Sequence, residues 1–151
     1  MRKRVIGQEP HDDRGWLDLE SAAQVEITSE DPAHPIEAAL KGGGDGWVAS
    51  GPGEQVIRLL FEEPARLRSI ELSFDEHKAT RTQEFLLRWS PDRGRSYRDI
   101  VRQQFTFSPG TTRETECFSV DLDGVTALEL RIVPDIAGGS AVASLARLRL
   151  A

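Results

Sequence analysis

An all-β sandwich of two antiparallel sheets is the fold this sequence predicts, and three observations predict it. Apolar residues recur with period two in successive segments from residue 55 to the C-terminus. Clusters of Pro, Gly, Asp and Ser separate those segments at short intervals. A helical pattern occurs for only one turn. Short strands punctuated in this way close into a sandwich or barrel.

The elements follow in order. Residues 16–19 and 23–29 read as short strands, and Pro35-Ile36-Glu37-Ala38-Ala39-Leu40 as one helical turn. A glycine-rich loop over 41–53 contains Trp47. Residues 55–61 form a strand with Ile57, Leu59 and Phe61 on one face, and Glu62-Glu63-Pro64-Ala65 breaks it. Residues 66–74 alternate through Ile70, Leu72 and Phe74, and residues 82–90 through Phe85, Leu87 and Trp89. Pro91-Asp92-Arg93-Gly94 is a turn in which Gly94 takes positive φ. Residues 96–107 form the next strand, and Ser108-Pro109-Gly110 turns it. Residues 112–122 carry Phe118, Val120 and Leu122, Asp123-Gly124 reads as a hairpin turn, and residues 126–133 align Leu128, Leu130 and Ile132. The loop Ala137-Gly138-Gly139-Ser140 leads to a closing strand over 144–150.

The chain has 151 residues, which suits one domain over 16–151 preceded by a tail, or an arm packed across one sheet, over 1–15. A domain of this size buries about two-thirds of its unfolded surface, so it folds without disulfides or metal. Hydrophobic residues make up 38% and charged residues 29%, as in an ordinary folded protein.

The net charge is -6, and acids interleave with arginines, as in Arg66-Leu67-Arg68-Ser69-Ile70-Glu71. No basic face for phosphates is expected, and no nucleic-acid partner. Cys117 is the single cysteine, so no internal disulfide forms, which fits a reducing compartment. The N-terminus begins Met1-Arg2-Lys3-Arg4 but lacks the apolar run of about 7–15 residues that a signal peptide needs. No stretch approaches the roughly 20 apolar residues of a membrane helix. The expectation is a cytoplasmic protein with no membrane partner.

Nothing points to catalysis. There is no G-x-S-x-G elbow, no P-loop and no dinucleotide fingerprint. Adjacent acids such as Glu62-Glu63 point to opposite faces of a strand, so they do not span one bond as an acid/base pair. His11, His34, His77 and Cys117 lack metal-like spacing, so no metal ion is expected. Cys117 has no adjacent base and reads as an inert thiol.

Candidate binding residues lie in three places. Trp47 either offers a flat face for a sugar ring or plugs the end of the sandwich. The polar run from Asp75 to Glu84 holds His77, Arg81, Gln83 and Glu84, which read hydroxyls or a carboxylate, or else form a solvated hairpin with a cross-strand ion pair. His34 and His77 either converge near the loops or are ordinary surface histidines. Arg102-Gln103-Gln104 sits in an otherwise apolar strand, so at least one of the three faces inward and needs partners. If Arg81, Glu84 and Arg102 meet, they make a buried network or a polar binding floor.

The order of these segments resembles a known family. Thr28-Ser29, the loop Glu30-Asp31-Pro32-Ala33-His34-Pro35, the turn Ile36-Glu37-Ala38-Ala39-Leu40, then Gly46-Trp47-Val48-Ala49 and Val56-Ile57-Arg58-Leu59 resemble the opening of discoidin-like domains. These are also called coagulation factor 5/8 type C, or galactose-binding-like, domains. Residues 64–72, the hairpin with Ser90, Asp92, Gly94 and Tyr97, residues 125–134 and residues 144–150 resemble their later strands. The likeness covers about residues 23–151 and rests on the ordered series rather than on one motif.

The resemblance implies a jelly-roll sandwich that binds ligands, often sugars, with loops at one end, and no catalysis. Residues 41–60 are also similar to part of the N-terminal domain of a single-strand-break repair scaffold of the same fold, which implies a protein partner instead. Ser90 to Tyr97 further resembles the Asp-box of sialidase propellers, a folding hairpin that occurs here once. Two features depart from the family. Many relatives carry a glutamate in the closing strand that helps hold calcium, where this chain has Ala146-Arg147-Leu148. Leu40 is followed by Lys41-Gly42-Gly43-Gly44, so Asp45-Gly46 comes late. No cofactor is expected.

Overall fold

The computed structural model describes residues 15–41 and 44–151. The tail or arm expected over 1–15 lies, apart from Gly15, outside the described residues, as do His11, Gly42 and Gly43. The elements are α1 (Leu19–Ala22), β1 (Ala23–Ile27), α2 (Glu37–Lys41), β2 (Trp47–Pro52), β3 (Gln55–Asp75), β4 (Arg81–Ser90), β5 (Arg98–Phe107), β6 (Arg113–Val133), β7 (Val142–Leu145) and β8 (Arg147–Leu150).

Strands β3 and β6 organise the rest. They pair antiparallel from Gln55↔Ile132 to Asp75↔Arg113, with register shifts between Leu60 and Ser69. Their outer halves carry β1, through Ile27↔Ile57, and β4, through Leu87↔Leu130, giving the order β1-β3-β6-β4-β5. The other half of β3 carries β8, through Leu72↔Leu148. A separate ribbon pairs β2 with β7. The bulged middles let each long strand serve both layers of a jelly-roll sandwich. Phe74 from one layer stacks on Phe85 of the other, with ring centroids 5.4 Å apart.

The alternation predicted for the core is present. Ile57, Leu59, Phe61, Ile70, Leu72, Phe74, Phe85, Leu87, Leu130, Ile132, Leu148 and Leu150 are all buried. Each such side chain contributes about 1.5–3 kcal/mol by leaving water. Helix α2 (Glu37–Lys41) falls on the helical turn expected over residues 35–40, shifted towards Lys41. In the Asp92 turn, Ser96 and Ser90 donate to the carboxylate, Ser96 foremost, and hold it down to about 2.

Several boundaries differ from expectation. Glu62-Glu63-Pro64-Ala65 and Asp123-Gly124 do not end strands; both lie in the bulged middle of the β3–β6 pair. Gly124 has φ 68°, which serves a bulge as readily as a hairpin. Residues 16–18 precede the short helix α1 rather than forming a strand, with the Leu17 N–H donating to Leu150 O at 2.8 Å. The closing strand divides at Ala146, so that β7 pairs with β2 and β8 with β3. Trp47 begins β2 instead of lying in a loop.

Two buried carboxylates test the packing. Glu129 lies on the outer face of the larger sheet, its side chain fully covered. Arg58, Arg88 and Arg131 all donate to it. Burial pushes its carboxyl up, but these hydrogen bonds outweigh that and bring it to about 2. Inside the sandwich, Glu114 is 2% exposed. Of the three polar residues on β5, Gln103 is the one that turns inward, and its amide donates to Glu114 and Glu116. Burial, aided by the Glu116 charge, pushes Glu114 up to about 7.

Glu129→Ala leaves three guanidinium groups around an empty centre and should lower unfolding free energy by about 3 kcal/mol in chemical denaturation. Glu114 has the opposite sign. Its folded value lies above the ordinary 4.5, so its contribution is intact below that pH and is lost as pH rises through about 7. Glu114→Gln should therefore raise stability by about 1–2 kcal/mol at pH 8 and change little at pH 4, read by denaturation at both pH values.

Candidate functional site

Alternation along the second half of β3 buries Ile70, Leu72 and Phe74 and turns Glu71, Ser73 and Asp75 to the opposite face. In β8, Leu148 and Leu150 go inward, so Arg147 and Arg149 go outward. In β6, Arg113 and Thr115 share that outer face. The register sets Glu71 beside Arg149, Ser73 beside both Arg147 and Thr115, and Asp75 beside Arg113.

These residues floor a groove of about 770 Å³, walled by His34, Gly44, Asp45 and Val48 and by His77. A second hollow of about 650 Å³ adjoins it, between the 76–80 loop and the 135–141 loop, and shares Val48, Asp75 and Ser144 with the first. The groove thus lies on the outer face of β3, β6 and β8, edged by the loops after β1 and β3 through His34 and His77.

Its floor is mostly tied down. Arg149 donates to Glu71 at 2.7 and 3.1 Å, and its guanidinium carbon lies 4.3 Å from the Trp16 ring. Arg113 meets Asp75 through two bonds of 2.8 and 3.3 Å, which raise the Arg113 pKa further. Ser73 and Thr115 share a hydrogen bond of 3.1 Å. Arg147 lies between these pairs and differs from them: its Nε is buried and has no hydrogen-bond partner. The buried Nδ1 of His34 makes no hydrogen bond but faces Asp31 Oδ2 at 3.6 Å.

The walls are held by the backbone. Asp31 N–H donates to Val48 O and Val48 N–H to His34 O, which pins the loop after β1 to β2. Gly46 has φ +82°, and a Cβ there would meet Leu145 O at 2.5 Å and the Ala146 Cα at 2.7 Å. Glycine lets the wall settle directly on the β7–β8 joint.

The residues singled out from sequence fall in three places. His77 lines the groove, and His34 joins it there. Trp47, Arg81 and Gln83 are buried. Trp47 is 0% exposed and donates its indole N–H to Ser29 O at 3.0 Å, so neither face is open to a ring. Arg81 donates to Glu76 at 2.6 Å and to Pro134 O at 2.6 Å, tying the two loops of the second hollow together. Burial pushes Glu76 up, but bonds from Arg81 and the Lys78 N–H leave it lowered. Gln83 faces Arg81 within the interior, and its Nε2 has no partner.

Glu84, Arg102 and Gln104 lie on the outer face of the larger sheet, away from the groove. Arg102 and Glu84 meet at 3.1 Å as an exposed pair, but Arg81 does not join them. Alternation along β4 sends residues 81 and 83 inward and residue 84 outward, so no common floor forms. The sequence reading missed Asp45, Arg113, Arg147 and Arg149 as groove residues. The signal available was Arg147-Leu148-Arg149-Leu150, whose alternation places both arginines on one face.

The residues do not fit the calcium ion of the resemblance. Arg147 brings a cation to the closing strand, and among the described residues no group of three or more His, Cys, Asp or Glu side chains is placed to hold a metal.

No family model and no curated protein sequence matches the chain. Solved structures do. The family 32 carbohydrate-binding module of Clostridium perfringens NanJ, in complex with galactose, superposes with a TM-score of 0.62 at 14% identity, covering 89% of this chain and 96% of that one. The fold is that of the galactose-binding-like, or discoidin-like, domains. Within it, the family 32 module of AlyQ, in complex with 4,5-unsaturated mannuronic acid, matches with a TM-score of 0.62 at 16% identity, covering 86% and 95%. A pectin-binding carbohydrate-binding module matches with a TM-score of 0.60 at 15% identity, covering 85% and 89%. These structural neighbours of the galactose-binding-like sandwich are carbohydrate-binding modules, and the likeness at such identities is one of fold.

Gly46→Ala forces both a strained φ and a backbone clash. It should lower stability by about 2 kcal/mol or more, measured as a fall in denaturation midpoint, whereas Gly53→Ala, with open space around its Cβ, should cost about half of that.

Proposed function

We propose that this chain is a non-catalytic carbohydrate-binding module that holds its ligand in this groove. The observation that carries the reading is the groove itself: a polar floor of fixed charges with, among the described residues, an Arg147 guanidinium that no carboxylate pairs. Sugar hydroxyls need such donors and acceptors in rigid positions, because each one stripped of water must be replaced by a protein partner. The galactose-binding-like fold and its sugar-bound neighbours support the class of ligand.

Among the described residues, no Phe, Tyr or Trp lines the groove. Recognition here rests on hydrogen bonds and charge rather than on ring stacking. His77 stands at the mouth, exposed, and supplies a hydrogen-bonding ring to a ligand that spans the groove towards the second hollow. The residues that tie the loops, Trp47 and Arg81, act on binding by holding the walls.

Glycan-array screening followed by titration calorimetry tests this. Binding should be found to at least one oligosaccharide class, with His77→Ala weakening it about 5–10-fold, the loss of one good hydrogen bond. The far-surface variant Glu63→Ala should bind as the parent does. Loss on Arg102→Ala with no effect of His77→Ala would move the site to the sheet face, and an array without any bound glycan would remove the reading.

A further inference from the structure

Among the described residues, one arginine of the groove has no carboxylate paired with it. Of the groove's three arginines, Arg113 is engaged by Asp75 and Arg149 by Glu71. Arg147 lies between them in the register, opposite Ser73, a neutral residue. Among the described residues no carboxylate lies within 4.0 Å of its guanidinium, and its Nε is both buried and unpartnered. A guanidinium stays charged at all working pH values and presents a planar fork of donors. With Nε shielded from water, the terminal amino groups of that fork are the donors left to meet an acceptor in the groove.

Resting on the carbohydrate reading of the same groove, we propose that the ligand is an acidic sugar, a hexuronate, whose carboxylate docks on the Arg147 guanidinium. The shape matches, because a planar carboxylate takes two parallel N–H bonds from an arginine. The charge matches as well. Glu71 and Asp75 flank Arg147 on the floor, and Asp45 stands on the wall. A dianionic phosphate would be repelled by these acids about twice as strongly as a carboxylate of single charge, which the Arg147 guanidinium suffices to meet. The His34 ring, which lines the same groove, gives a second polar contact for a ring hydroxyl. The flanking ion pairs hold the floor still, so little side-chain freedom is lost on binding.

The experiment compares matched ligands. Trisaccharides of galacturonate, mannuronate and glucuronate are titrated into the full chain beside their methyl esters and a neutral galactose trisaccharide. At least one free acid should bind 10-fold or more tighter than its own ester, with the preference shrinking as salt is raised. Arg147→Gln should bring the acid down to the level of the ester while leaving ester binding within about 2-fold. Arg147→Lys, which keeps the charge but loses the fork, should restore part of the preference. Thermal denaturation of each variant confirms that it folds.

Equal binding of acid and ester by the parent protein overturns the hexuronate assignment and leaves the carbohydrate reading standing. A preference for acid that survives Arg147→Gln overturns the role of Arg147. Failure of acids, esters and the neutral sugar alike, joined to an empty array, overturns both.

Discussion

The pairing of β3 with β6 is the constraint on which everything else depends. Each strand serves both layers, so one register decides the orientation of side chains throughout the sandwich. A slip of one residue would turn Ile70, Leu72 and Phe74 to solvent and drive Glu71 and Asp75 into the interior. The same slip would dismantle the groove, because its floor is the reverse side of the strands that line the core. Folding and recognition therefore share a determinant. The bulges between Leu60 and Ser69 let the pair change layers while the register shifts from one half to the other.

Much of this architecture was legible, because period-two alternation is a property of each strand alone. What alternation does not disclose is the partner. Asp123-Gly124 carries the chemistry of a hairpin turn, and Gly124 does take positive φ, but a bulge within a continuous strand asks for the same φ. Only the presence of β3 alongside both halves decides between them. Glu62-Glu63-Pro64-Ala65 misleads in the same way: its proline lies in the bulged middle, where the β3–β6 register shifts.

The candidate site was less legible than the fold. Phe85, Leu87 and Trp89 share the inward face of one strand. Extending that count backwards by two steps places Gln83 and Arg81 inside with them, as the structure does. Glu84 falls outward by the same arithmetic and finds Arg102 on the neighbouring strand. The groove is different in kind. It combines β3, β6 and β8 with a wall from the loop after β1, four segments far apart in the chain. No local pattern joins them, and the sequence left open whether His34 and His77, which both line the groove, converge or are ordinary surface histidines.

Heat acts unequally on the two faces of the larger sheet. Its inner face is held by apolar burial, whose contribution per unit area levels off on warming, and its outer face by three guanidinium groups gathered on Glu129. Water solvates separated ions less favourably as temperature rises, so dispersing that ionic knot becomes less rewarding the hotter the solution. Strands β3, β4 and β6 are clasped there by charge at their centre. That clasp will be among the last features of the sandwich to yield when its interior begins to loosen.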